Sequence, residues 1–220
     1  MFDVVMALSG GMDSTTVLGY LLAEGLSVDC IGFTYGAKHN KYENVAATNV
    51  ADHYNVKFQI IDLSNVMALF ESNLLKTGGD IPEGHYADET MSQTVVPGRN
   101  IIFLSILAGR AWTVGAEQIA IGIHQGDHAI YPDCRKVFFD AMNLAIHLGT
   151  DEKVEIIAPF LDGNKTTIIK HGLSIGVPYG LTRTCYKDQQ LPCGKCGACV
   201  ERLEAFANNN IEDPVTYEAN

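Results

Sequence analysis

The segment Ser9–Ser14 reads Ser-Gly-Gly-Met-Asp-Ser and lies between a short apolar run and a stretch with leucines at helical spacing. Two adjacent glycines allow the backbone to adopt positive φ and to approach a ligand closely. The free N–H groups and the dipole at the start of the following helix favour a bound anion, and the serine hydroxyls add donors. Asp13 would repel that anion unless Mg²⁺ lies between them. The segment therefore predicts a phosphate site that holds Mg²⁺.

A purely structural role is also compatible with the segment Ser9–Ser14. A glycine-rich turn whose Ser and Asp side chains cap the helix would bind no ligand. A Walker A loop is excluded because no Gly-Lys-Ser/Thr follows the glycines, and the glycine spacing excludes the dinucleotide fingerprint. A phosphate site here therefore has to be of another kind.

Four of the six cysteines lie in one short stretch near the end of the sequence. Cys193, Cys196 and Cys199 are separated by two residues each, and Cys185 lies eight residues upstream of Cys193. In a reducing compartment, such clustering indicates a metal rather than disulfides. Four thiolates at this spacing can enclose one tetrahedral ion, and a site without an open ligand position is structural rather than catalytic. We expect zinc, and an iron–sulfur cluster is the alternative.

Further charged residues lie at predicted helix starts. Arg99 and Asn100 follow Gly98, where an arginine could face an anion or form a salt bridge at the beginning of the helix. Lys165 could be a second phosphate ligand, or a solvated lysine in the first turn of a helix.

A run of hydrogen-bonding residues, 123–135, follows the fourth predicted strand, where open parallel sheets bind ligands. Asp127 and Asp133 could accept hydrogen bonds from a ring N–H or an exocyclic amine. Tyr131 could stack on a flat heterocycle, and Arg135 could pair with a carboxylate. Alternatively, Asp133 caps the helix that follows it.

The elements that must position these residues alternate along the chain. The predicted strands are Val4–Leu8, Val28–Thr34, Val56–Ile61, Gln118–Ile123 and Glu155–Ala158, and the predicted helices are Ser14–Glu24, Lys41–Tyr54, Asn100–Val114 and Cys134–Leu148. The second strand is a mostly apolar run, which is typical of burial on both faces. This alternation predicts an α/β fold with a parallel sheet. Residues 73–94, with several glycines and a proline, are predicted to form a long irregular loop.

The composition narrows the classes of partner. The 220 residues are 47% hydrophobic and carry a formal net charge of −11, which is compatible with a globular chain that has one core. Because such an acidic surface repels phosphate backbones, we expect a small-molecule substrate and no nucleic-acid partner. The longest apolar run is too short to span a bilayer, and the sequence begins without the basic residues of a secretory signal. We therefore expect no membrane association and a cytoplasmic location.

The hexapeptide at 9–14, directly after the first strand, resembles the signature of the PP-loop ATP pyrophosphatase superfamily. The resemblance implies a Rossmann-like parallel sheet of the adenine nucleotide alpha-hydrolase type and an enzyme that cleaves ATP between its α and β phosphates. It implies ATP-binding residues in the loop, at the end of the second strand and in Val-Pro-Gly-Arg-Asn at 96–100: Leu8, Ser9, Gly10, Gly11, Met12, Asp13, Ser14, Thr15, Phe33, Tyr35, Gly98, Arg99 and Asn100. We assign catalytic roles to Asp13, Ser14, Arg99 and Lys165.

Four features together are similar to the QueC family of 7-cyano-7-deazaguanine synthases over nearly the whole chain. They are the hexapeptide, Val-Pro-Gly-Arg-Asn, Tyr-Pro-Asp-Cys-Arg at 131–135 and the cysteine-rich tail, in this order. The similarity implies an ATP-dependent C–N ligase of queuosine and deazapurine biosynthesis, with Mg²⁺ and a zinc ion. Its substrates would be 7-carboxy-7-deazaguanine, ammonia and ATP, and the nitrile would form through an adenylated acid and an adenylated amide.

The same similarity implies the roles of further residues. Substrate-binding residues would be Asp127, Tyr131, Asp133 and Arg135, and zinc ligands would be Cys185, Cys193, Cys196 and Cys199. We expect residues 1–180 to form the nucleotide-binding domain and residues 181–220 to form a zinc-binding tail packed on it. The similarity also implies a homodimer.

Three alternative functions remain. The segment Asp127–Ile130 departs from the Asp-x-Ser-Gly of many family members. A QueC-like enzyme of a phage or a defence system, which stops at the amide or uses another acceptor, is therefore one alternative. A tRNA-thiolating PP-loop enzyme would share the loop and could carry cysteines, but should also show basic patches. The third alternative is a nucleotide-binding sensor without catalysis.

Overall fold

The fold is built on a five-stranded sheet with the strand order β3-β2-β1-β4-β5. The computed structural model describes residues 1–85, 89–124, 126 and 130–219. The strands are β1 (Val4–Ala7), β2 (Val28–Thr34), β3 (Lys57–Asp62), β4 (Gln118–Ala120) and β5 (Glu155–Ile157). Every neighbouring pair of strands is parallel, which confirms the predicted α/β class.

Helices connect the strands and cover both faces of the sheet. They are α1 (Met12–Ala23), α2 (Asn40–Tyr54), α3 (Ser64–Met67), α4 (Arg99–Val114), α5 (Lys136–Gly149), α6 (Lys165–Ser174) and α7 (Gly197–Ala207). Successive strand residues point to opposite faces. Val5 of β1 therefore belongs to the same hydrophobic cluster as Leu104 of α4, whereas Val4 belongs to a second cluster with Leu18 of α1. Within the part of the chain that the structure describes, no helix is long and apolar enough to cross a bilayer.

Most predicted boundaries differ from the observed ones by one or two residues, and two of the differences have a clear structural reason. β4 ends at Ala120 rather than Ile123, because the chain leaves the sheet to pass over the start of α1. Gly122 permits this passage, since a Cβ at this residue would lie 3.0 Å from the backbone nitrogen of Ser14. The helix predicted from Cys134 begins at Lys136, because the preceding residues form a short 3-10 helix.

In its described residues, the predicted long loop has a 3-10 helix at Glu89–Thr94 and no other helix. Part of the loop contacts the cysteine-rich segment. Glu83 pairs with Cys196 in an isolated antiparallel bridge, and the Gly84 N–H donates to the Lys195 carbonyl at 3.1 Å. The loop is thereby anchored on the tail of the chain.

The tail itself is fixed by Arg202 of α7, whose side chain is 2% exposed. Its guanidinium binds both carboxylate oxygens of Asp213, at 2.7 and 2.9 Å, and donates to Thr182 Oγ1 at 2.6 Å. A buried arginine with a bidentate carboxylate partner is both satisfied and fixed in orientation. The four clustered cysteines belong to the same hydrophobic cluster as residues of β1, β2 and α4.

Candidate active site

The segment between β1 and α1 forms one wall of a cavity at the carboxyl ends of the strands. Ser9 Oγ accepts a hydrogen bond from the Gly11 N–H at 3.2 Å and lies 3.0 Å from Ser14 Oγ. The Ser14 hydroxyl accepts from the Ser9 N–H at 3.2 Å. The two serines thereby fix the loop on itself. No side chain caps α1 at its N-cap residue, Gly11, so the Ser and Asp side chains do not act as the helix caps of the structural alternative.

The backbone around Gly10 leaves no room for a side chain, for two reasons. Its φ is +77°, and a Cβ would overlap the backbone nitrogen of Ala47 in α2. Its carbonyl accepts from the Arg183 N–H at 2.8 Å. Only glycine combines this φ with such a close approach. The loop is therefore held between α2 and the tail.

Lys165, the first residue of α6, extends its ammonium group towards this loop. Its Nζ lies 2.8 Å from Glu201 Oε2 and 3.6 Å from Asp13 Oδ2. His124 Nε2 is 3.0 Å away. The Lys165 side chain is only 7% exposed, so the interpretation as a solvated lysine is wrong. A buried ammonium needs anionic or polar partners, and the cavity supplies them here.

Asp13 has an oxygen that its protein neighbours leave unsatisfied. Its Oδ1 is buried and accepts no hydrogen bond from the described residues. Leaving a buried carboxylate oxygen without a partner is costly, and Mg²⁺ binds through carboxylate and phosphate oxygens. Asp13, beside the Ser14 hydroxyl, therefore fits a magnesium ion shared with a bound phosphate. We call Ser9, Gly11, Asp13, Ser14 and Lys165 the phosphate side of the cavity.

Aromatic rings line another part of the cavity, beyond the end of β2. The rings of Phe33 and Phe103 stack with centroids 4.1 Å apart at 9°. Tyr35 meets Phe103 edge-on, with centroids 5.6 Å apart. These contacts hold flat, apolar surface against the cavity, which suits a planar heterocycle. We call Phe33, Tyr35, His39, Glu43, Arg99, Phe103 and Tyr186 the aromatic side.

Arg99 and Asn100 are brought to the cavity by the start of α4, where Gly98 has a left-handed φ of 65°. Arg99 Nη1 lies 3.4 Å from the Tyr35 hydroxyl, to which it donates, and the guanidinium lies 5.9 Å from that ring's centroid. No carboxylate of the described residues forms a salt bridge with Arg99.

Asp133 caps a helix, but not the helix that the sequence suggests. Its Oδ2 accepts from the Asn100 N–H at 3.0 Å, and its carbonyl accepts from Asn100 Nδ2 at 3.0 Å. It therefore caps the start of α4. The alternative in which it caps α5 is wrong, because Arg135 occupies that N-cap position.

His39 and Glu43 form a buried pair on the aromatic side. His39 Nε2 lies 3.4 Å from Glu43 Oε2, and Asn40 Nδ2 donates to the same oxygen at 3.2 Å. Burial, together with Arg99 and Arg183, lowers the pKa of His39 to about 3. The imidazole is therefore neutral near pH 7, and its contact with Glu43 is not an ion pair. Burial raises the pKa of Glu43 to about 7, against the opposing effect of Arg99.

The four tail cysteines form a compact group of buried thiols. Their sulfur atoms all lie within 4.8 Å of one another. Backbone N–H groups donate to two of them, from Cys193 to Cys185 Sγ at 3.4 Å and from Cys196 to Cys193 Sγ at 3.2 Å. The group could hold a single metal ion. Ala198, between the last two cysteines, lines the cavity, so the group and the cavity are adjacent.

Comparison with known proteins decides the family. The model of the family described as queuosine biosynthesis protein QueC matches residues 3–210. The chain belongs to the QueC family. It is 47% identical over 216 residues to the 7-cyano-7-deazaguanine synthase of Psychromonas ingrahamii, covering 98% of this chain and 97% of that protein. It is 45% identical over 214 residues to the synthase of Caldicellulosiruptor bescii, covering 97% and 96%.

A solved structure supports the fold assignment of this QueC chain. NMN synthetase from Francisella tularensis superposes with a TM-score of 0.53 at 15% identity, covering 87% of this chain and 66% of that one. At this identity the similarity shows the fold alone.

Most residues that the sequence predicts for the QueC site lie in the cavity wall: Leu8, Ser9, Gly11, Asp13, Ser14, Phe33, Tyr35, Arg99, Asn100, Tyr131 and Lys165. Others lie outside the wall. Met12 packs in a hydrophobic cluster with Ile169, and Thr15 is buried within α1. Gly10 and Gly98 shape the backbone.

The predicted substrate residues do not all lie at the cavity. Tyr131 lines the cavity, and its hydroxyl lies 2.7 Å from Thr94 Oγ1. Asp133 is buried behind the wall at the start of α4, and Arg135 is exposed. Asp127, like most of the departing segment 127–130, lies outside the described residues.

Several cavity residues escape sequence motifs altogether: His39, Glu43, Asn44, Arg183, Thr184 and Tyr186. Two signals could have found them. His39 and Glu43 are four residues apart at a helix start that follows a strand, and the other group flanks Cys185 in the sequence. Neither signal indicates by itself that the two groups meet.

Proposed function

We propose that this QueC family member converts 7-carboxy-7-deazaguanine and ammonia to 7-cyano-7-deazaguanine at the expense of ATP, in queuosine biosynthesis. The observation that carries the proposal is the cavity itself, where a phosphate-binding loop with a buried cation faces an aromatic wall. The name of the relatives at 44–47% identity supports the same reaction. We place the reaction in the cytoplasm, where ATP is available.

The first half-reaction makes the carboxylate reactive. A carboxylate oxygen of the substrate attacks the α-phosphorus of ATP, and the bond to the bridging oxygen of pyrophosphate breaks. Lys165 and the N–H groups at the start of α1 neutralise charge on the departing pyrophosphate. Asp13 would hold Mg²⁺ against the same oxygens. Ammonia then attacks the acyl carbon, AMP leaves with a substrate oxygen, and loss of a proton gives the amide.

The second half-reaction repeats the activation on the amide. The amide oxygen attacks the α-phosphorus of a second ATP, and pyrophosphate leaves again. Loss of AMP with that oxygen, and of both nitrogen protons, gives the nitrile. No protein nucleophile is needed, because positioning and charge neutralisation lower the barrier. Arg99, a cation of the aromatic side, would bind an anionic group of either substrate.

We propose zinc as the ion of the cysteine group. Four zinc–sulfur bonds of about 2.3 Å in a tetrahedron separate the sulfurs by about 3.8 Å, which is compatible with sulfur atoms that all lie within 4.8 Å of one another. An iron–sulfur cluster would place the thiolates on different irons and hold them farther apart. We propose that residues 1–180 form the nucleotide-binding domain and that residues 181–220 form a zinc-binding tail packed on it.

One assay tests the reaction directly. Purified protein is incubated with Mg²⁺, ATP, 7-carboxy-7-deazaguanine and an ammonium salt, and AMP, pyrophosphate and the product mass are measured. We expect two AMP and two pyrophosphate for each nitrile. An amide with one AMP would establish the alternative that stops halfway. Absence of AMP and pyrophosphate would reject the synthase and leave the sensor. A brown protein with visible absorbance would favour the tRNA-thiolating alternative.

We also propose a homodimer through α5. This helix exposes Val137 (73%), Leu144 (58%) and Leu148 (62%), which share one face at helical spacing. A two-fold axis would place this apolar stripe against its own copy. Leu144→Glu should yield a monomer in sedimentation analysis, whereas the matched change Leu69→Glu, at an exposed apolar residue away from α5, should not. A dimeric Leu144→Glu protein would exclude this interface.

A further inference from the structure

The described residues that line the cavity include one carboxylate on each side, Asp13 and Glu43. Asp13 belongs with the phosphates, where Mg²⁺ would offset its charge. Glu43 lies among rings and cannot serve a phosphate, which it would repel. A carboxylate beside a planar pocket calls for a ligand with hydrogen-bond donors.

Glu43 is held in one orientation. Its Oε2 accepts from Asn40 Nδ2 at 3.2 Å. Asn40 is itself fixed, because its Oδ1 accepts from the Tyr35 N–H and the Ala37 N–H, both at 2.9 Å. Within the described residues, Oε1 of Glu43 receives no hydrogen bond. The side chain is 18% exposed, so a ligand in the cavity can reach it.

The nearby arginine side chains leave the Glu43 carboxylate available to a ligand. Neither Arg99 nor Arg183 forms a salt bridge with Glu43 in the described structure. The guanidinium of Arg183 instead donates to the carbonyls of Lys187, Gln189 and Gln190, at 2.7 to 3.0 Å. Glu43 is therefore a fixed acceptor without a strong protein partner, which is the state expected of a ligand-binding group rather than of a structural ion pair.

The proposed substrate has the matching chemistry. The pyrimidine ring of a deazaguanine carries a ring N–H and an exocyclic amino group side by side. Two parallel donors fit the two oxygens of a carboxylate, as in other bidentate pairs. Adenine offers an amino group but no adjacent ring N–H, so it fits less well.

We infer that Glu43 is a specificity-determining residue, which accepts hydrogen bonds from the ring N–H and the 2-amino group of the deazaguanine acid. This inference rests on the proposed function, since it names the contact by which that site selects its heterocycle. Phe33 and Tyr35, for which the superfamily resemblance implies contacts with ATP, would instead supply the flat surface beside the deazaguanine ring. The carboxylate of the substrate would then extend towards Arg99 and the phosphate side.

The experiment compares Glu43→Gln with the wild-type protein on two ligands, 7-carboxy-7-deazaguanine and its analogue without the 2-amino group. Glutamine keeps the size but replaces one acceptor with a donor. We expect KM for the acid to rise by about 10- to 100-fold, as for the loss of a charged hydrogen bond, while KM for ATP changes less than about twofold. We also expect the preference for the amino-bearing ligand to fall at least about tenfold. Asp52→Asn, an exposed change on the same helix, should alter neither quantity.

The outcomes separate this inference from the reaction itself. Calorimetry without ATP measures the same discrimination by binding alone. If the wild-type protein discriminates in binding but makes no AMP, the proposed reaction fails and the role of Glu43 stands. Turnover with unchanged discrimination in Glu43→Gln would overturn the role of Glu43 alone, and a selective rise in KM for ATP would assign Glu43 to adenine instead. Glu43→Asp, which keeps the carboxylate, should bind more weakly but retain the preference.

Discussion

The phosphate side and the aromatic side of the cavity are built in different ways. On the phosphate side, one continuous segment, 9–14, supplies backbone donors, and Lys165 supplies a buried cation paired with carboxylates. On the aromatic side, stacked rings surround titratable groups from three separate segments, at 33–43, at 99–103 and at 186. Charge would select the ligand on the phosphate side, whereas shape and hydrogen bonding would select the ligand on the aromatic side.

The difference has an electrostatic consequence. On the aromatic side, burial keeps His39 neutral near pH 7 and places the pKa of Glu43 at about 7. A neutral imidazole, and a carboxyl group that can lose its charge near neutral pH, suit a ligand without a formal charge on its ring. Under the proposed function, the phosphate side would face a polyanion and would need a cation that stays charged. The two sides should therefore respond differently to substitution and to pH.

The largest effect is expected from Lys165→Met, which removes the cation of the phosphate side at nearly constant size. The rate of AMP formation should fall by roughly 10²- to 10³-fold, the range seen when one group that stabilises developing charge is removed. Quench-flow measurement of pyrophosphate release would check this. Binding of the deazaguanine acid should stay within about twofold of wild type, because the aromatic side is untouched.

Lys170→Met, an exposed change on the same helix, is the control for this variant and should be fully active. If Lys165→Met retained more than a tenth of the wild-type rate, the phosphate side would not depend on this cation.

Cys196→Ser should affect both sides at once. Arg183 and Tyr186 flank Cys185, while Ala198 and Glu201 follow Cys196 on α7, so the cysteine group lies next to residues of each side. We expect bound zinc to fall below one equivalent and the melting temperature to drop by roughly 10 °C, as for a loss of about 3 kcal/mol. Metal analysis and calorimetry measure the two together. Cys30→Ala, in β2, should leave the zinc content unchanged; loss of zinc from Cys196→Ser at an unaltered melting temperature would refute a structural role.

The pH dependence of the melting temperature should reveal the raised pKa of Glu43. Its folded pKa of about 7 lies above the ordinary value of 4.5, so between these values the folded chain keeps a proton that the unfolded chain releases. Stability from this group is therefore present at low pH and is lost as pH rises towards 7. The melting temperature of Glu43→Gln, relative to wild type, should rise between pH 5 and pH 8. A difference that stays constant over this range would show that the carboxyl group is not perturbed.

The smallest effect is expected from Asp133→Ala. Loss of a helix cap costs about 1 kcal/mol, because the Asn100 N–H loses its acceptor. Chemical denaturation would measure this. KM for the acid should change less than about threefold, since Asp133 lies behind the cavity wall. A KM increase of tenfold or more at unchanged stability would return Asp133 to the substrate site.

The sequence predicts the sheet well because its strands carry their own signals. Val28–Thr34 is apolar apart from Asp29 and Thr34, and the structure buries it on both faces at the predicted residues. The fourth strand is predicted too long, because Ile121 and Ile123 look like strand residues but are buried outside the ladder. Nothing local in the sequence indicates that Gly122 must pass the backbone of α1.

The two sides of the cavity differ in the same respect. The phosphate loop is contiguous, so residue order alone reveals it, and Lys165 is suggested by its place at a helix start. Glu43 and Arg183 are far apart in the chain and meet only through the fold. Asp133 shows a further limit, since a short polar residue before a helix predicts a cap, but the structure decides which helix it caps.

The hydrogen bond from the Arg183 N–H to the Gly10 carbonyl also bears on the order of folding. It joins segments near opposite ends of the sequence, and the contact between Lys165 and Glu201 likewise waits for α7. Contacts of such long range form late, because the chain between them must first lose its freedom. An intermediate with the sheet assembled but the tail undocked would lack a finished nucleotide site. ATP should therefore stabilise only the completed fold, which makes nucleotide binding a report on the last step of assembly.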